Sequence, residues 1–164
     1  VKAEASQTTG QVTQGPTASA SSENSVTTPG TQTIVDTEKG VPADLSSTTS
    51  ELSAAPGATM TVPVVVKNMS TESFMAAKDL SNTENEIDFA VDYLDSTGNA
   101  IDSLKSVIPL PDTLAAGQSG TYQLPINAPA TIGNYTLQIN LVQQGKAYFS
   151  DAGVKSVSIP VSVK

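Results

Sequence analysis

Residues 87–94 read IDFAVDYL, in which Ile87, Phe89, Val91 and Tyr93 alternate with Asp88, Ala90, Asp92 and Leu94. Successive side chains of a strand point to opposite faces, so this period of two gathers the large apolar groups on one face and leaves a mostly polar set on the other. A face with that composition belongs in a core.

Similar patterns lie on either side. Residues 95–99, DSTGN, carry hairpin chemistry with Gly98 available for a positive φ, and predict a return strand through residues 100–107. Tyr122, Leu124 and Ile126 share one face of residues 120–127, and Tyr135, Leu137, Ile139 and Leu141 share one face of residues 134–142. Gln143-Gln144-Gly145 turns into residues 146–149, residues 150–153 form a loop, and VKSVSIPVSV over 154–163 closes the pattern. Upstream, residues 45–55 hold a first edge strand, and Pro56-Gly57 turns into TMTVPVVVKN, residues 59–68. Pro63 has no backbone donor, which predicts an edge, a bulge or a strand switch there. Phe74, Met75, Ala76, Ala77 and Leu80 fit one side of two helical turns, so a helix is expected within residues 72–80. The expected fold is an all-β, immunoglobulin-like antiparallel sandwich of about seven strands over residues 41–164.

Residues 1–40 differ in kind. They contain no aromatic and consist mostly of Ser, Thr, Gln, Gly, Pro and Ala. Such a stretch buries too little apolar area to offset its chain entropy and is expected to be a disordered linker or stalk, broken only by a short strand at TIVD, residues 33–36. Val1-Lys2-Ala3 before Glu4 fits the small-x-Ala pattern at a signal-peptidase site, and the expectation is an exported protein whose signal peptide, and any wall or membrane anchor, lies outside this sequence.

Composition removes several function classes. The 164 residues include no Cys, His, Trp or Arg, which excludes Ser-His-Asp and Cys-His triads, thiol or imidazole zinc sites and disulfides. A net charge of -8 repels nucleic-acid phosphates and anionic lipid, and no run of 18 apolar residues is present. Neither nucleic-acid binding nor direct membrane insertion is expected. Nothing points to a cofactor.

The stretch LPDTLAAGQSGTYQLPINAP at 110–129, followed by GNYTLQINLVQQGKAYFSDAGV at 133–154, resembles a family of immunoglobulin-like accessory modules. These occur in secreted and cell-surface proteins of bacteria and beside carbohydrate-active domains. The family's early P-G and V-x-V-x-N strand are matched by Pro56-Gly57 and residues 64–68, and its Y-x-D-x-x-G hairpin by Tyr93, Asp95 and Gly98. Phe74 stands where the family usually has a tryptophan, inside a longer segment over 69–86 that is expected to be specialised. The opening strand is also similar to that of a cohesin, but nothing after Asn85 continues that pattern. The resemblance implies a non-catalytic extracellular module of a Gram-positive surface or secreted protein, acting as spacer or adhesion domain. A carbohydrate-binding module is the alternative. The expected partner is accordingly a surface protein or a polysaccharide, and the module is expected to be monomeric.

Tyr135, in G-x-Y-x-L, occupies the position where sandwich proteins place a tyrosine whose hydroxyl bonds backbone across a corner. Asp92, Asp95, Asn99 and Asp102 bring several oxygen ligands around one hairpin, as a Ca²⁺ ion requires, but without the glycine position or closing Glu of an EF-hand; turn and solvated-face roles are the simpler reading. Phe74, Tyr148 and Asp151 are candidate ligand contacts. Tyr148 and Phe149 are adjacent, so if they lie on a strand one of them must be core. Glu84, Glu86 and Asp88 could hold paired carboxylates as glycosidases do, but the chain lacks the aromatics that line a glycosidase cleft, and no catalytic residue is expected.

Residues 4–32 should give sharp, poorly dispersed amide NMR signals and early proteolytic cuts. Protection there from protease or hydrogen exchange would contradict the two-part reading.

Overall fold

A computed structural model describes residues 34–164, so the expected linker up to residue 33 lies outside the described residues. Eight strands form: β1 (Ala43–Ser46), β2 (Leu52–Ala54), β3 (Thr59–Asn68), β4 (Ile87–Leu94), β5 (Ser106–Pro109), β6 (Ser119–Asn127), β7 (Gly133–Gln143) and β8 (Val157–Val163). They make two sheets, a curled one of order β1-β3-β6 and a five-stranded one of order β2-β8-β7-β4-β5. The strand content and the two sheets bear out the all-β reading.

The expected alternation sets the core. Val62, Val64, Val66, Leu124 and Ile126 from the three-stranded sheet join Ile87, Phe89, Val91, Tyr93, Leu137, Ile139, Leu141, Ile159 and Val161 from the other in one buried cluster. Phe89 meets Tyr122 edge-to-face across the two sheets, with ring centroids 5.2 Å apart. The close approach of Tyr122 also explains Gly120, because a Cβ there would fall 2.6 Å from the tyrosine oxygen.

The prolines fall where the ladders spare a donor. β1 pairs with β3 only over Val65–Asn68 partners, so Pro63 lies just past the point where the chain leaves that sheet, and the Ser47 hydroxyl donates to its carbonyl. β3 itself runs on unbroken against β6, so of the three expected alternatives Pro63 takes the edge, on the side of β3 that β1 leaves unpaired. Pro125 lies in edge strand β6, and Pro160 precedes the residues of β8 that meet β2.

Several expectations change. There are eight strands rather than about seven, because the single edge strand expected over 45–55 divides: β1 pairs antiparallel with β3, while β2 crosses to the other sheet and runs parallel to β8. The return strand expected at 100–107 is delayed; Ala100 makes one bridge to Leu94, a 3-10 turn follows over Asp102–Leu104, and β5 begins at Ser106. Residues 146–149 likewise form only a bridge, Tyr148 to Val142, before a 3-10 turn over Phe149–Ala152. The expected helix at 72–80 reduces to a 3-10 turn at Ala77–Asp79. Its apolar residues are held extended instead: Phe74 exchanges backbone bonds with Leu114, the Met75 carbonyl accepts from Ile87, and the Ala76 amide donates to Thr113 Oγ1. Packing on two neighbours at once outcompetes helical spacing.

The packed body also reaches upstream of residue 41. Ile34 bridges to Ser73, and Val35 and Thr37 are buried. The cause is Gln143, 1% exposed at the end of β7. Its Nε2 donates to the Val35 carbonyl and to Asn85 Oδ1, and its Oε1 accepts from the Thr37 amide and hydroxyl.

Phe74→Ala should destabilise by about 3–5 kcal/mol in denaturant melts, since the ring is fully buried and packs edge-on against Phe149. Tyr148→Ala should stay within about 0.5 kcal/mol of the parent. Equal losses would contradict this placement of the two rings.

Candidate functional site

The outer face of the five-stranded sheet carries a concavity of about 250 Å³ lined by Asp92 and Leu94 of β4, Gln138 and Asn140 of β7, Ala100 and Lys105 from the β4–β5 connection, and Tyr148, Ser150 and Ser156 from the β7–β8 connection. Strand alternation explains its floor. The odd-numbered residues of β7 enter the core, so Gln138 and Asn140 face outward beside Asp92, which pairs with Gln138 across the ladder.

The wall is a built turn. Phe149 plugs into the core, the Asp151 amide donates to the Tyr148 carbonyl, and Gly153, at φ 92°, takes the left-handed conformation that closes the turn. Asn140 Nδ2 donates to Ser150 Oγ at 2.7 Å, fixing the turn to the sheet. Tyr148, between these anchors, is 44% exposed. Of the adjacent pair, then, Phe149 is core and Tyr148 surface. Asp151 is exposed and is not among the lining residues.

The opposite wall holds Lys105, whose ammonium pairs with Asp102 at 2.9 Å. Asp102, and more weakly Asp92 and Tyr148, hold its pKa above the ordinary lysine value.

The other expected site residues separate from this groove. Phe74 is fully buried and presents no face to a ligand. Asp95 closes its own hairpin, its Oδ1 accepting from the Thr97 amide and hydroxyl and the Asn99 amide, and these bonds, Thr97's first, lower its pKa. The Asn99 side chain donates to Thr97. Asp92, Asp95, Asn99 and Asp102 thus serve separate local roles, and among the described residues no group of three acidic side chains is arranged for a metal ion. Tyr135 donates from its hydroxyl to the Thr131 carbonyl at 2.9 Å, the backbone bond across a corner that its position suggested. Glu84 is exposed, whereas Glu86 and Asp88 are buried.

The burial of that last pair is not marked in the sequence, because Asp88 lies on the mostly polar face of β4 and Glu86 just precedes the strand. Gln144 lies against both, its Nε2 donating to Asp88 Oδ2 and its amide to the Glu86 carbonyl, and between them the Ile87 amide donates to the Met75 carbonyl. Glu86 Oε2 and Asp88 Oδ1 have no donor. Burial, then a hydrogen bond and repulsion from Asp88, push the Glu86 carboxyl above its ordinary value. A proton retained by Glu86 would supply the donor the pair lacks.

No family model matches this chain, and no curated protein was found to be significantly similar to it. No helix among the described residues is long and apolar enough to cross a membrane.

Glu86 makes stability depend on pH with a definite sign. The folded state holds its proton more tightly than the unfolded state, so its stabilising contribution is complete below the ordinary carboxyl value, about 4.3, and is lost as pH rises through the raised folded value. Glu86→Gln, which supplies an amide donor at every pH, should melt a few degrees above the parent at pH 7 and level with it at pH 4. An unchanged difference between the two pH values would contradict the shared proton.

Proposed function

We propose that the described body is an immunoglobulin-like sandwich module of an extracellular protein, without catalytic function, which spaces and mechanically joins what lies on its two sides. The supporting observation is the placement of its two chain ends. Gln143 holds Val35 and Thr37 at one end of β7, whereas Val163 pairs with Gly133 at the other. The ten intervening steps of β7 span about 33 Å. Entry and exit therefore stand at opposite poles, the arrangement a spacer needs.

The ladders suit that role. β2 and β8 are parallel neighbours over three residue pairs, so tension drawing residue 34 one way and Lys164 the other loads their short ladder in shear. β1 and β3 are loaded along their axes in the same way. The Ser/Thr-rich residues that precede the body add reach. A Gram-positive surface or secreted protein remains the expected setting, on the family resemblance and the cysteine-free composition. Carbohydrate binding is the second reading, and the exposure of Tyr148 in the groove favours it.

The absence of cysteine allows single-molecule handles at introduced thiols. Pulled between Glu38→Cys and Lys164→Cys, at opposite poles, the module should unfold at higher force than when pulled between Ser96→Cys and Lys164→Cys, which share a pole. Equal or reversed forces would argue against a load-bearing spacer.

A further inference from the structure

Tyr148 is the one exposed aromatic ring among the described residues, and it stands in a concavity whose other side chains are mostly polar. Four features bear on what fits there. The ring is held at its backbone by the bridge to Val142 and the Asp151 bond, with Phe149 as an internal anchor, so little ordering remains to be done on binding. Hydrogen-bonding capacity remains beside it. The Asp92 carboxylate has no protein donor among the described residues, Gln138 makes only a long 3.4 Å bond to Ser158, and the Ser156 hydroxyl adds a donor and an acceptor.

Charge and size narrow the occupant. Asp92 and Asp102 set against Lys105 leave one negative charge in excess, on a chain of net charge -8, which disfavours phosphates, uronates and anionic wall polymers. The volume of about 250 Å³ lies below the roughly 300–1,000 Å³ of pockets for drug-sized molecules, room for one ring rather than several. A neutral pyranose matches all four, being uncharged and of one ring's size, with one face of C–H groups for the tyrosine ring and a rim of hydroxyls that both donate and accept.

We propose that this groove binds a neutral pyranose unit of a polysaccharide, with Tyr148 stacked on the ring and Asp92, Gln138 and Ser156 hydrogen-bonded to its hydroxyls. The spacer reading does not depend on this site. A module that failed to bind sugar would still be tested separately by its response to force.

The test is an amide NMR titration of the whole chain with neutral glucan, xylan, mannan and galactan oligosaccharides, with oligogalacturonate as the anionic control. At least one neutral series should give saturable shifts centred on Gln138, Asn140, Tyr148 and Ser150. Tyr148→Ala should weaken binding by about tenfold or more, and Tyr148→Phe, which keeps the ring, by no more than about threefold. A dispersed spectrum and an unchanged melting point for Tyr148→Ala would show that the loss is not unfolding. Three results would overturn the proposal: no saturable shifts with any neutral series, saturation unaffected by Tyr148→Ala, or tighter binding of the anionic control.

Discussion

The buried amide of Gln143 decides where this chain enters its fold. An uncompensated amide at that depth would cost about 1–3 kcal/mol, and its four hydrogen bonds to Val35, Thr37 and Asn85 remove the cost only if residues 34–37 lie against the end of β7. Satisfying one side chain therefore pins a segment more than a hundred residues away in sequence. Asp36, beside that segment, faces Lys146 from the following turn, an exposed pair that adds little by itself but agrees in direction. From this clasp follows the entry of the chain at the Gln143 end of β7, the placement on which the proposed spacer role rests.

The same pole is consolidated by Asn68, whose buried side chain donates to the carbonyls of Glu72, Leu114 and Ala115 and accepts from Ser70. It joins β3 to the long segment 69–86 and to the connection before β6. Phe74 and Phe149 pack beneath. At the opposite pole the Tyr93 hydroxyl donates to the Asn127 carbonyl and that of Tyr135 to Thr131, and burial pushes the Tyr93 pKa up to about 12. Each end of the body is thus closed by side chains that bond backbone in a neighbouring connection, which leaves the outer faces of the sheets free to carry sites.

Much of this was legible in the sequence, because alternation is a local signal. β4, β6 and β7 follow from the period of two in their own residues, Pro63 marks a locally unpaired edge of β3, and the corner bond of Tyr135 follows from its place at the head of a strand. What failed depended on distant partners. The division between β1 and β2 reflects edges in two different sheets, at β3 and at β8, and the extended path of residues 74–76 reflects donors and acceptors at Thr113, Leu114 and Ile87. The groove was half legible. Tyr148 could be flagged as an aromatic beside a loop, but its outward direction became definite only once Phe149 was seen to fill the core, and Gln138 and Asn140 joined it only through the ladder. Glu86 and Asp88 could be read as paired carboxylates, but nothing local in the sequence tells that they are buried.

Entry and exit stand at opposite poles of β7, and a pulsed electron-spin distance between labels at Glu38→Cys and Lys164→Cys measures that separation directly. A single narrow distribution at roughly 30–40 Å is predicted, from about 3.3 Å per residue along β7 and the reach of the labels, and it should broaden in Gln143→Ala, which opens the clasp. A distribution centred well below 20 Å, or one already broad in the parent and unchanged by Gln143→Ala, would contradict it.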